Sequence, residues 1–89
     1  MSNHETADNY SRVIAQVDDR HRVIVCKDGI QWILQRREKG TGRWPWKARH
    51  YCRTRKALLR VTGAACRAPD PLAMQTLADL PEHIGGVAA

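Results

Sequence analysis

The residues with the widest chemical range in this chain of 89 are three cysteines, Cys26, Cys52 and Cys66, and four histidines. His50 and Cys52 stand two apart, so on a strand they would point the same way. With Cys26 or Cys66 they would imitate a nitrogen and sulfur donor set of the kind that holds zinc. The chain has no CxxC and no HxxxH, the spacings that make such a reading strong, and buried free thiols are common. No metal site is therefore expected. A Cys–His nucleophile pair would need an acid to orient the imidazole, and no acid occurs from residue 39 to residue 69. The run KGTGRW has too few glycines for a phosphate loop and opens no helix. These residues predict no catalytic group, no enzyme, no cofactor and no small-molecule substrate.

The chemistry that remains is that of fixed positive charge. Residues 36–60 hold ten basic side chains: Arg36, Arg37, Lys39, Arg43, Lys47, Arg49, Arg53, Arg55, Lys56 and Arg60. One acid, Glu38, interrupts them, so these 25 residues carry +9 while the other 64 carry −3. Such a cluster can neutralise phosphates and release their counterions. Seven of the ten are arginine, whose planar fork makes bidentate contacts to phosphate or carboxylate. Tryptophans among them offer stacking planes for unpaired bases. Solvation, and protection of an edge strand against pairing, would account for the same charges, and an acidic protein would satisfy them as well. Trp32 and Trp46 are assigned to the core, because the sheet lacks other large residues. Trp44, beside Pro45, is the better exposed aromatic. The expected contact surface is Lys47, Arg49, Arg53, Arg55, Lys56 and Arg60, with Trp44 at its rim.

Composition bounds the setting. The net charge is +6, the pI about 9.8 and the hydrophobic share 43%, which is ordinary for a globular domain. A basic chain favours polyanionic partners. No apolar run resembles a signal peptide or approaches the roughly 20 residues that span a bilayer. An odd number of cysteines without a secretion signal predicts a reduced, cytoplasmic protein with no membrane partner. Oligomeric state is left open.

The elements that must position these residues follow from periodicity and turn chemistry. Residues 1–9 are polar and aperiodic and read as a flexible tail. Residues 12–17 read as a short strand and 22–27 as a second, rich in β-branched residues. Asp28-Gly29 then predicts a hairpin into a strand at 30–37, since a D-G pair suits a type I′ turn. In that strand Ile30, Trp32 and Leu34 form an apolar face for the core. Residues 43–52 read as a further strand, at an edge or beginning after Pro45. Alternation places Trp44, Trp46, Ala48, His50 and Cys52 on one side of it. Thr54 is an N-cap for a helix reaching about 62 or 66, with Ala57, Leu58, Val61 and Ala65 toward the sheet. Asp70-Pro71 opens a second helix, which Pro81 stops. The prediction is an α+β domain over residues 10–82. It has a three- to four-stranded antiparallel meander followed by two short helices packed on the sheet. Residues 83–89 form a flexible C-terminal tail.

The run DGIQWILQRR, the W–W pair, HYCRTRKALLR and a DP-initiated helix, together spanning about residues 22–80, resemble a group of small uncharacterised proteins of proteobacterial genomes and prophages. That group has no assigned activity, so no functional residue carries over. The resemblance implies a phage or mobile-element origin and an anti-CRISPR-like role. Such a protein would inhibit a host nucleic-acid-handling defence complex by binding it through a basic surface, in the cytoplasm of the bacterial host. The alternative is an accessory protein that binds DNA or RNA directly through residues 36–60.

Overall fold

A computed structural model describes residues 3–40 and 42–84. Four strands, β1 (Val13–Asp18), β2 (His21–Val25), β3 (Trp32–Arg37) and β4 (Trp46–Cys52), form one antiparallel sheet in the order β1-β2-β3-β4. Two helices follow, α1 (Arg55–Ala65) and α2 (Pro71–Ala78). The chain is thus an α+β meander with both helices on one face of the sheet.

Local chemistry explains the boundaries. The Thr54 side chain accepts a hydrogen bond from the Ala57 amide, and Asp70 accepts one from Ala73, with Pro71 at the first helical position. Each cap satisfies an amide that the helix itself cannot. Gly63 neither ends nor breaks α1, which runs on to Ala65. Between β2 and β3 the hairpin forms as expected, but not with a type I′ turn. Gly29 alone takes a positive φ, +72°, and its amide bonds the Cys26 carbonyl at 2.9 Å. Asp28 stays at negative φ, where a residue with a Cβ is unstrained.

β2 and β3 lie between neighbours and are buried on both faces. On the helix side Val17, Val23, Trp32, Leu34 and Cys52 pack against Leu58, Cys66, Ala73 and Leu77. Ile30 was expected to share that face, yet it precedes β3 and is half exposed. Ala65, expected toward the sheet, is also exposed, while Thr62 takes the buried position.

The opposite face carries Ile24, Ile33, Arg22 and Gln35, and something must cover it. The N-terminal segment does. Arg22 is 2% exposed. Its guanidinium donates to the backbone carbonyls of Glu5, Ala7 and Asp8 and to Gln35 Oε1, at 2.7–3.1 Å. It also stacks on the Trp46 ring, 4.3 Å from its centroid. Gln35 donates to Glu5 O, the Trp46 amide to Thr6 O, and the Tyr10 hydroxyl to Val25 O. Residues read from polarity as a loose tail therefore form a strap, because a buried guanidinium needs acceptors and these carbonyls supply them. At the other end His83 bridges Thr54, and the Ile84 amide bonds Arg53 O, so ordered pairing passes the expected boundary at 82. Residues 1–2 and 85–89 lie outside the described residues.

Candidate functional site

The site begins with a fault in the β3–β4 ladder. Leu34 pairs with His50 and Gln35 with Ala48, which leaves Arg49 unmatched. A bulge of this kind reverses the alternation of faces beyond it. Trp46 and Ala48, opposite Arg37 and Gln35, lie on the strap side. His50 and Cys52, opposite Leu34 and Trp32, lie on the helix side. The single face expected for all four is thereby split, because an extra residue was inserted into a period of two. Trp32 and Trp46 are both 2% exposed, and they belong to opposite faces.

On the helix side a cleft of about 510 Å³ opens between the sheet and α1. His21, Arg36, Arg49, His50 and Arg60 line it, with Val61, Ala64 and Ala65 as its floor toward the helix. No carboxylate is in that lining. Two neighbouring hollows share Arg36. One adds Arg20 and Arg67 beside the acids Asp18, Asp19 and Asp70, and the other adds Arg20, Arg37 and Lys39 beside the acids Asp19 and Glu38. Among the described residues, ion pairs join His21 to Asp18 and Arg37 to Asp8, and none engages Arg36, Arg49 or Arg60. Three guanidiniums facing one open cleft without a counter-charge leave a positive potential that an anion would relieve.

The expected contact residues divide. Arg49 and Arg60 meet in the cleft. Lys47 is exposed and pairs across the ladder with Arg36, on the same side of the sheet. Arg53 and Lys56 are exposed but do not line the cleft. Arg55 is half-buried, and its Nη1 donates to Leu80 O at 2.8 Å, tying α1 to the segment after α2. Trp44 is half-buried with its ring 4.4 Å from that of His4. Sequence reading counted Arg36 in the basic segment but left it out of the surface, and it missed His21. Their roles depend on β2–β3 register, which brings His21 opposite Arg36.

The cysteines are distributed differently from the expected set. Cys52 packs under the helices and Cys26 in the opposite core, away from any shared donor cluster. Burial pushes the Cys52 thiol up, against the pull of Arg60. Cys66 instead joins Asp18 and His21, whose ligand atoms all lie within 4.8 Å of one another. Burial, and next the charge of Asp18, push the Cys66 thiol up to about 11. For Asp18, burial would raise the pKa, but hydrogen bonds from the Arg20 amide, His21 and Cys66 hold it below its ordinary value. Neither of these thiols is set up as a ready nucleophile, which requires a lowered pKa.

No helix of the described residues is long and apolar enough to cross a membrane. No protein-family model, curated protein or solved structure matches the chain.

Proposed function

We propose that this protein acts by binding rather than catalysis, and that its basic cleft receives the phosphate backbone of nucleic acid. The observation that carries this reading is the convergence of Arg36, Arg49 and Arg60, from β3, β4 and α1, on one cleft whose lining holds no carboxylate. Guanidiniums pair with phosphate oxygens through two parallel hydrogen bonds, and the flanking His21 and His50 add donors. Titration with short duplex and single-stranded oligonucleotides at several salt concentrations tests it. Three phosphate contacts predict a log–log salt slope of about −2.7 on duplex. Reversing Arg49 and Arg60 to glutamate removes two of those contacts and lowers the slope by about 2. Binding weaker than about millimolar at low salt would end this reading, since even non-specific binders reach about 10⁻⁴ to 10⁻⁶ M at physiological salt.

A second reading has an observation of its own. β4 is an edge strand whose residues 47–51 are all exposed. An edge of this kind can accept a strand from another protein. It suits the inhibitor role, in which a protein of phage or mobile-element origin docks on a host nucleic-acid-handling defence complex in the bacterial cytoplasm. The basic residues would then steer the encounter with an acidic surface or with bound nucleic acid. Affinity purification from host lysate separates the two readings. Stoichiometric recovery of a nucleic-acid-handling protein that survives nuclease treatment favours docking. Recovery of none counts against it.

A further inference from the structure

The cluster of Asp18, His21 and Cys66 meets the nucleic-acid reading only through His21, at the edge of the basic cleft, and is built from three elements at one point. Asp18 ends β1 and His21 begins β2, where the two are ladder partners. Cys66 caps α1, its amide bonded to Thr62 O at 3.0 Å. The linker beyond it is tied to β1 through the Asp70 amide and Val17 O, at 2.7 Å. His21 Nδ1 lies 2.9 Å from Asp18 Oδ1, which also accepts the Arg20 amide at 2.8 Å.

We propose that Asp18, His21 and Cys66 form a binding site for a divalent transition-metal ion of the zinc class, with its fourth position open to the hollow shared with Arg20, Arg36 and Arg67. The chemistry of the donors comes first. A thiolate with an imidazole selects zinc-like ions over magnesium or calcium, which prefer all-oxygen shells. The spacing agrees. Bonds of about 2.0 Å to nitrogen and oxygen and 2.3 Å to sulfur place tetrahedral donors about 3.3–3.7 Å apart. The three atoms already lie within 4.8 Å, so side-chain torsions suffice to close the set. The Arg20 amide on Asp18 is the kind of outer hydrogen bond that orients a ligating carboxylate.

Uptake of the ion displaces the thiol proton to solvent and moves the imidazole proton from Nδ1 to Nε2, so that Nδ1 can ligate. The carboxylate and thiolate together neutralise the dication, so that uptake, with loss of one thiol proton, takes the site from −1 to neutral beside Arg20 and Arg67. Asp18 and His21 line the hollow that also holds Arg20, Arg36 and Arg67, next to the basic cleft, while Cys66 is buried, 4% exposed. Three protein ligands with one side open is the arrangement of reactive zinc sites rather than closed structural ones.

Cobalt(II) titration of the reduced, full-length protein tests the site. The expected result is saturation at one equivalent, with the visible bands of tetrahedral cobalt and a near-ultraviolet thiolate charge-transfer band. Zinc should abolish both. Cys66→Ser should remove the charge-transfer band, while Cys26→Ser and Cys52→Ser keep it. Should Cys66→Ser fail to fold by circular dichroism, the less buried imidazole ligand gives the same discrimination. His21→Asn should then lose saturable binding, and His50→Asn should retain it. No saturable binding, saturation without a thiolate band, or a band unaffected by His21→Asn would each overturn the proposal.

Discussion

Thr62 lies on the buried side of α1, with no exposed surface, and its hydroxyl has no hydrogen-bond partner among the described residues. A buried hydroxyl left unpaired costs about 1–3 kcal/mol. Valine keeps the branched shape, has similar helix propensity and removes the orphaned oxygen. Thr62→Val should therefore stabilise the protein by about 1 kcal/mol. Urea denaturation should show a higher midpoint at unchanged slope. An unchanged or lower midpoint would mean that the hydroxyl has a partner, such as a bound water. Sequence alone did not single out Thr62. Its helical position was legible, but helical spacing marked Ala65 instead, and the two differ by less than a turn. Which of them faces the sheet depends on how α1 is rotated, and packing against Leu58 and the strands decides that.

At the scale of elements, the strap and the sheet depend on each other. Arg22 has its guanidinium satisfied by the Glu5, Ala7 and Asp8 carbonyls, of which Glu5 O also accepts from Gln35 and Ala7 O from the Tyr10 amide. Desolvation by burial lowers its pKa to about 10, still well above neutrality, so the charge remains. Arg22→Leu would leave the Asp8 carbonyl and Gln35 Oε1 without their donor and take one of two donors from Glu5 O and Ala7 O, and should cost roughly 3 kcal/mol. Amide exchange at Ala7 and Tyr10, whose N–H groups bond within the strap, should accelerate sharply. Deleting residues 1–9 should cost a similar amount, because it orphans the same guanidinium. The two changes together should fall well short of additive. Additive losses would mean that the strap and Arg22 are independent. This element was illegible from composition: a polar, aperiodic stretch gives no signal of its own. Arg22 stands at the head of the apolar run Val23–Cys26, directly after Asp18, Asp19, Arg20 and His21, so sequence marked it as surface rather than buried. The bulge at Arg49 was hidden for the same reason. Pattern reading assumes an uninterrupted period of two, whereas register is settled by both strands together.

For the whole molecule, the balance of charge controls behaviour in acid. The Trp46 indole N–H, and then Arg37, hold the Asp8 carboxyl below its ordinary value of 3.8. A carboxyl whose folded pKa is depressed contributes stability that is present above about 3.8 and lost as pH falls through its lower folded value. Below that point Asp8 no longer offsets Arg37, and the net charge rises beyond +6 as the other acids protonate. Thermal melts should fall steadily from pH 5 toward pH 2. Asp8→Asn should be less stable at neutral pH and lose less on acidification. Parallel curves for the two proteins would remove Asp8 from the account. Asp8 is largely exposed, so the difference should be small.

The sequence by itself determined the order of elements, the caps at Thr54 and Asp70, the Asp28-Gly29 hairpin and the concentration of positive charge in residues 36–60. All of these depend on neighbours in the chain, where turn, cap and periodicity rules operate. Tertiary structure alone decided that Arg36, Arg49 and Arg60 share a cleft, that Cys66 joins Asp18 and His21 rather than His50 and Cys52, and that the N-terminal segment covers the second face. Each is set by strand register, helix rotation or the needs of a buried charge, and those are settled between residues far apart in the chain.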